Sequence, residues 1–180
     1  MKSEITEKIG IPEGIHCSYK DNLFTCKKNS IELSRKISLP GIPVRIEDNS
    51  IIFHSYKANK NERKIINSYT KHIKNLFQGL DEKYTYKLEA CNVHFPMSVK
   101  IEGDIISVSN FLGEKIPRYA KILPNVDVQI KGAIITVTSN DKEAAGQTAA
   151  NIEKVAHVRN RDRRIFQDGI YITQKPERKK

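Results

Sequence analysis

Val126-Asp127-Val128-Gln129-Ile130-Lys131-Gly132-Ala133-Ile134-Ile135-Thr136-Val137 decides the fold: it alternates apolar and polar residues, breaks at Gly132, and alternates again. That pattern predicts a β-hairpin. From Asp141 onward, apolar and small residues fall at Ala144, Ala145, Thr148, Ile152, Val155 and Ala156, the spacing of one buried helix face. The same order occurs earlier in the chain. Val44 and Ile46, the turn residues Asp48-Asn49, and Ile51-Ile52-Phe53 precede a helical stripe that starts at Asn61 and uses Ile65, Ile66, Tyr69, Ile73, Leu76 and Phe77. Matching stripe positions are a constant 79 residues apart.

Turn candidates recur ahead of each hairpin, as Lys20-Asp21-Asn22-Leu23 and as Glu102-Gly103-Asp104-Ile105, both between alternating runs. We therefore expect an internal duplication of about 80 residues. The fold class is α+β: two similar domains, each an antiparallel sheet with one packed helix, followed by a basic C-terminal tail. The expected boundaries are 1–82, 83–157 and 158–180. Gln78-Gly79-Leu80-Asp81-Glu82 reads as a short linker, with Gly79 as the helix stop.

A two-residue turn at Asp21-Asn22 pairs residues whose numbers sum to 43, setting Cys17 opposite Cys26 and Tyr19 opposite Phe24. That face, with Ile15, is apolar, whereas His16, Ser18, Lys20, Thr25 and Lys27 occupy the other. Opposed thiols in an intracellular core read as buried and reduced rather than bridged. Cys91, on the alternating run 84–95, reads the same way.

Charge is unevenly placed. Residues 1–83 carry 15 Lys+Arg against 10 Asp+Glu, residues 84–153 carry 7 against 8, and residues 154–180 carry 9 against 3. Most of the net charge of +10 therefore lies at the C-terminal end and favours a polyanionic partner. No run approaches the roughly 18 apolar residues of a spanning helix. Met1-Lys2-Ser3-Glu4 lacks the apolar core of a signal peptide. The expectation is a soluble, cytoplasmic protein without a membrane partner.

No catalytic constellation emerges. His16, His54, His72, His94 and His157 are scattered without metal-ligand spacing, and no Cys-x-x-Cys, Gly-x-Ser-x-Gly, phosphate loop or dinucleotide fingerprint is present. Asp81-Glu82 fall in the linker, Glu47-Asp48 enter a turn, and Asp141 with Glu143 complement a helix N-terminus. We expect no enzyme, no metal and no cofactor.

Binding chemistry is richer. Asn110-Phe111-Leu112-Gly113-Glu114-Lys115-Ile116-Pro117-Arg118-Tyr119-Ala120-Lys121 reads as a basic loop in an otherwise acidic domain, with Lys115, Arg118 and Lys121 as candidate RNA ligands. In the second helix, Gln147 and Lys154 are candidates for phosphate or sugar. Arg159, Arg161, Arg163 and Arg164 put four arginines in six residues, and the guanidinium fork matches phosphate bidentately and stacks on bases. Phe166 and Tyr171, candidate RNA ligands as well, bracket the turn dipeptide Asp168-Gly169, so the segment is expected to fold back there. Asp168 is expected to fix that turn or hold an arginine. Lys175, a further candidate, opens the basic arm Lys175-Pro176-Glu177-Arg178-Lys179-Lys180, which reads as ordering on binding.

His94-Phe95-Pro96-Met97, Asn110 through Lys115, Gly146-Gln147-Thr148-Ala149-Ala150-Asn151-Ile152, and Arg164-Ile165-Phe166-Gln167-Asp168-Gly169-Ile170-Tyr171 together resemble the L-six family of large-subunit ribosomal proteins, in its archaeal and eukaryotic branch. The resemblance runs in order from Ile11-Pro12-Glu13-Gly14 to the tail. It implies two duplicated α+β domains, no enzymatic activity, and ribosomal RNA binding by the C-terminal domain and tail near the sarcin-ricin loop and stalk base. It also implies neighbouring ribosomal proteins as partners and translational GTPases as indirect ones. The alternative function is a free RNA-binding regulator or ribosome assembly factor of the same fold.

Overall fold

The computed structural model describes residues 3–38, 42–47 and 49–177. Met1, Lys2, Asp48, Arg178, Lys179 and Lys180, all named above, lie outside them. The chain divides into two compact units, residues 1–82 and 83–180.

In the first unit the strands are β1 (Ser3–Gly10), β2 (His16–Lys20), β3 (Leu23–Lys28), β4 (Ile31–Lys36), β5 (Val44–Glu47) and β6 (Ser50–Ala58), followed by α1 (Lys60–Asp81). They form two antiparallel sheets, β1-β6-β5 and β2-β3-β4. Asp21 and Asn22 both take positive φ, +50° and +62°, the backbone of a type I′ turn that matches the strand twist. Cys17 consequently pairs with Cys26 and Tyr19 with Phe24. Asn59 caps α1, accepting the amides of Asn61 and Glu62, while the Glu62 carboxylate accepts the Asn59 amide. Ile66, Ile73, Leu76 and Phe77 join Phe24, Cys26, Ile51 and Phe53 in the core.

Two expectations for α1 fail. Ile65 lies on the helix shoulder and is exposed. Gly79 does not stop the helix; it is buried inside it, and α1 continues so that Leu80 reaches the core. An interior glycine costs about 1 kcal/mol relative to alanine, less than the roughly 1.5–3 kcal/mol from burying a leucine side chain.

The second unit repeats the plan with β7 (Tyr84–Cys91), β8 (Ser98–Glu102), β9 (Ile105–Ser109), β10 (Arg118–Lys121), β11 (Asp127–Lys131), β12 (Ile134–Ser139) and α2 (Lys142–Val155). The hairpin turns at Asp21 and Gly103, and the N-caps Asn59 and Asp141, are each 82 residues apart. The buried helical stripes nevertheless match at 79, because residues three apart share a face and periodicity alone does not resolve one turn.

The second unit then adds a strand. β13 (Gly169–Gln174) pairs antiparallel with β7, giving the order β11-β12-β7-β13, and Ile170 enters the core with Leu88, Ile135, Val137, Ala149 and Ile152. Residues 158–180 are thus in part an edge strand of the sheet, held because Ile170 and Ile172 alternate inward. Among the described residues no helix is long and apolar enough to cross a membrane.

Candidate nucleic-acid interface

The expected loop over 110–121 is shorter, because Arg118–Lys121 pair with β9 as β10; what remains, from 110 to 117, stands where the first unit has only the turn Asn29-Ser30 between β3 and β4. Asn110, Leu112 and Gly113 take positive φ, so the chain coils tightly and drives Phe111 and Leu112 into the core. Asn110 Nδ2 donates to the Pro96 carbonyl at 2.9 Å, and a Cβ on Gly113 would lie 3.5 Å from the Phe95 ring. The two loops are thereby interlocked.

Arg118 proved to have another task than reaching outward. Its Nε and Nη2 donate to Glu114 at 2.8 and 2.6 Å, and its Nη1 donates to the carbonyls of Val155 and His157 at 2.8 and 3.1 Å. Its Cζ lies 4.4 Å from the centroid of the Phe111 ring. Most of the fork is spent inside the fold, tying the basic loop to the carbonyl end of α2, where a cation is favoured. The hydrogen bond from Arg118 holds the Glu114 carboxyl below its ordinary range, against a smaller effect of burial, and the charges of Arg118, Arg161 and Arg159 act in the same direction. Arg118→Ala is expected to lower the stability of this unit by about 2 kcal/mol, with Arg118→Lys recovering only part, since lysine lacks the fork. Urea unfolding followed through amide signals of α2 measures it.

Asp168 holds neither a turn nor an arginine. It is 2% exposed and accepts three hydrogen bonds: from the amides of Val93 and His94 at 2.9 and 3.1 Å, and from His94 Nδ1 at 2.8 Å. Burial pushes its carboxyl up, but the bonds from the His94 side chain and the two amides, with the charge of His94, win and draw it down to about 2. The fold-back lies upstream: Asp162 accepts the Arg164 amide through its side chain, and the amides of Ile165 and Phe166 through its carbonyl. Gly169 instead opens β13, where a Cβ would come within 2.9 Å of the Tyr171 ring.

Phe166 is partly buried between two neighbouring side chains. The Arg161 guanidinium lies 4.9 Å from its centroid, and the His94 ring is 5.2 Å away. Tyr171 Oη donates to the Gln167 carbonyl at 3.0 Å. Both aromatics brace the segment from 161 to 171.

The remaining candidates lie outward. Lys115, Lys121, Gln147, Lys154, Arg159, Arg161, Arg163, Arg164 and Lys175 are all exposed. Lys154, Arg163 and Tyr171 line a groove of about 490 Å³ floored by Ala150, Ala156, Val158 and Ile170. Arg118, Tyr119, Val155 and Arg159 line a second, of about 340 Å³. Gln147 donates to Asn151, which donates to the Lys121 carbonyl, so α2 and β10 are bridged by amides. Small residues let α2 sit close on its sheet; a Cβ on Gly146 would meet Tyr86 Oη at 2.9 Å. The arrangement is a cationic surface on a braced scaffold, and no cluster of metal-ligating side chains occurs among the described residues.

Sequence reasoning missed His94, Glu114 and Asn151 as the groups that hold this surface. Only Glu114 left a signal, its i,i+4 spacing to Arg118.

A family model described as Ribosomal protein L6 matches residues 95–169, the span from the interlocked loops through α2 to the start of β13. The chain is 40% identical over 175 residues to large ribosomal subunit protein uL6 of Methanosarcina mazei, covering 97% of this chain and 99% of that protein. It is 39% identical over 171 residues to large ribosomal subunit protein uL6 of Methanococcus vannielii, covering 95% and 94% respectively.

Proposed function

Because the chain belongs to the L-six family of large-subunit ribosomal proteins, we propose that it is a structural, non-catalytic constituent of the large ribosomal subunit that binds ribosomal RNA in the cytoplasm. The observation that carries this reading is the near-complete coverage of its relatives at about 40% identity. The exposed arginines from 159 to 164 supply the chemistry. They present guanidinium forks, that of Arg163 beside Lys154, on a surface whose backbone is fixed by Arg118 and Asp168. Duplex RNA hides its base edges in a deep, narrow groove, so such a surface reads phosphate positions and the 2′-hydroxyl face.

The finer reading places the protein beside the sarcin-ricin loop and the base of the stalk, next to other ribosomal proteins there, with translational GTPases acting nearby. The resemblance to the family supports it, together with the concentration of positive charge in residues 154–180. In this reading the protein braces RNA helices against the forces of factor binding and contributes no reacting group.

Sedimentation of a cell extract tests the proposal. The protein is expected to stay with large subunits through a high-salt wash; recovery in the light fractions alone would instead identify a free regulator or assembly factor. Binding of the purified chain to large-subunit RNA should weaken steeply with salt, by about a factor of 10³ or more between 50 and 200 mM for six or more phosphate contacts.

A further inference from the structure

We propose that Cys17 and Cys26 form an oxidation site, in which Cys17 exchanges with a small-molecule disulfide and Cys26 resolves the adduct, leaving a disulfide that staples β2 to β3. The two sulfur atoms are 3.3 Å apart and one thiol donates to the other. In a hairpin closed by two residues, the pair flanking the turn, Lys20 and Leu23, exchanges backbone hydrogen bonds, and the pattern alternates from there. Cys17 and Cys26 therefore occupy a non-hydrogen-bonded position, where facing Cα atoms are about 4.5 Å apart, inside the range a disulfide requires. Both residues are free thiols, and they face each other without backbone movement.

Access to the two sulfurs differs, and the difference orders the chemistry. β2 is an outer strand of its sheet and Cys17 is half-buried; Cys26 sits on the central strand, fully buried, with Leu33 opposite on its other side. A small disulfide reaches Cys17 and not Cys26. The hydrogen bond from Cys26 draws the Cys17 thiol below its ordinary value, more than burial raises it. The same bond, then burial and the neighbouring charge, push Cys26 up. The thiolate thus forms at the reachable sulfur, as exchange needs.

The Cys17 thiolate attacks one sulfur of the small disulfide, forming a mixed disulfide and releasing one thiolate. Cys26, giving up its proton, then attacks the Cys17 sulfur and releases the second. Two protein thiols are oxidised, the small disulfide is reduced to two thiols, and atoms and electrons balance. Cys91 provides the contrast: it has no thiol partner, and burial and Glu89 push its thiol up.

The full chain, treated with oxidised glutathione, alkylated and digested with trypsin without reduction, tests this. Cleavage after Lys8, Lys20 and Lys27 should yield peptide 9–20 joined to peptide 21–27 by a reducible bond. Cys26→Ser should accumulate a single glutathione adduct on Cys17, and Cys17→Ser should leave Cys26 unmodified. Three results overturn the proposal: a stable adduct on Cys17 of the unaltered protein without the link; modification of Cys91 while Cys17 stays free; or full alkylation of both thiols under conditions that crosslink the urea-unfolded chain. The unaltered protein alone decides among these, so the outcome does not depend on either variant folding.

Discussion

Asp168→Ala is expected to cost the second unit about 3–5 kcal/mol, the range for removing one partner of a buried charged network. The carboxylate is the shared acceptor for the Val93 and His94 amides and for the His94 ring. Alanine leaves two backbone donors without an acceptor and frees the imidazole that packs on Phe166. The loss joins two places, because the loop from 92 to 97 and the start of β13 are both held by this one side chain. Asp168→Asn keeps a carbonyl for the amides and should cost less, about 1–2 kcal/mol. Urea unfolding read through amide signals of β7 and α2 distinguishes them; a change under 1 kcal/mol for the alanine variant would refute the lock.

Acid adds a second reading of the same site. The folded carboxyl titrates near 2 against an ordinary value of 3.8. A depressed carboxyl contributes stability that is fully present above its unfolded value and lost as pH falls through its folded one. About 2 kcal/mol should therefore disappear between pH 4 and pH 2 in the unaltered protein. Asp168→Asn should not show that component.

The contrast between what the sequence disclosed and what it hid follows the distance of the partners. The register of β2 and β3 was legible because a two-residue turn fixes every later pair, and Asp21-Asn22 has the residue types that tolerate positive φ. Both helices were legible from periodicity, although the true repeat of 82 residues was not, since a helix face recurs after three residues as well as four. By contrast, Arg118 reaches carbonyls 37 and 39 positions away, and Asp168 bonds groups 74 and 75 positions away. No local pattern records such pairs. The charge of Arg118 suggested an outward task, and only the fold shows that its fork is spent on Glu114 and the end of α2. The segment after 158 misled for a related reason: its basic composition suggested a tail, while the alternation of Ile170 and Ile172 already carried the strand.

Replacing Arg159, Arg161, Arg163 and Arg164 together with glutamine is expected to weaken binding to large-subunit RNA by about 10²–10³-fold near 0.15 M salt. Each arginine that neutralises one phosphate adds about 0.9 to the slope of log affinity against log salt, so four should account for about 3.6 of it. The fold should tolerate the change. All four side chains are exposed; Arg161 stacks on Phe166, Arg161 and Arg159 act on Glu114 through charge, and Arg164 makes a 4.0 Å contact to Asp162. Exposed pairs of that kind contribute about 0–1 kcal/mol. The matching lysine variants separate charge from geometry: they should keep the slope while losing affinity, since lysine replaces a planar fork with a point charge. Arg118→Gln should do the reverse, lowering stability with the slope nearly unchanged, because its guanidinium is already committed within the fold. An unaltered slope in the fourfold glutamine variant would move the RNA surface elsewhere, to Lys115 of the loop and Lys121 of β10 or to the first unit.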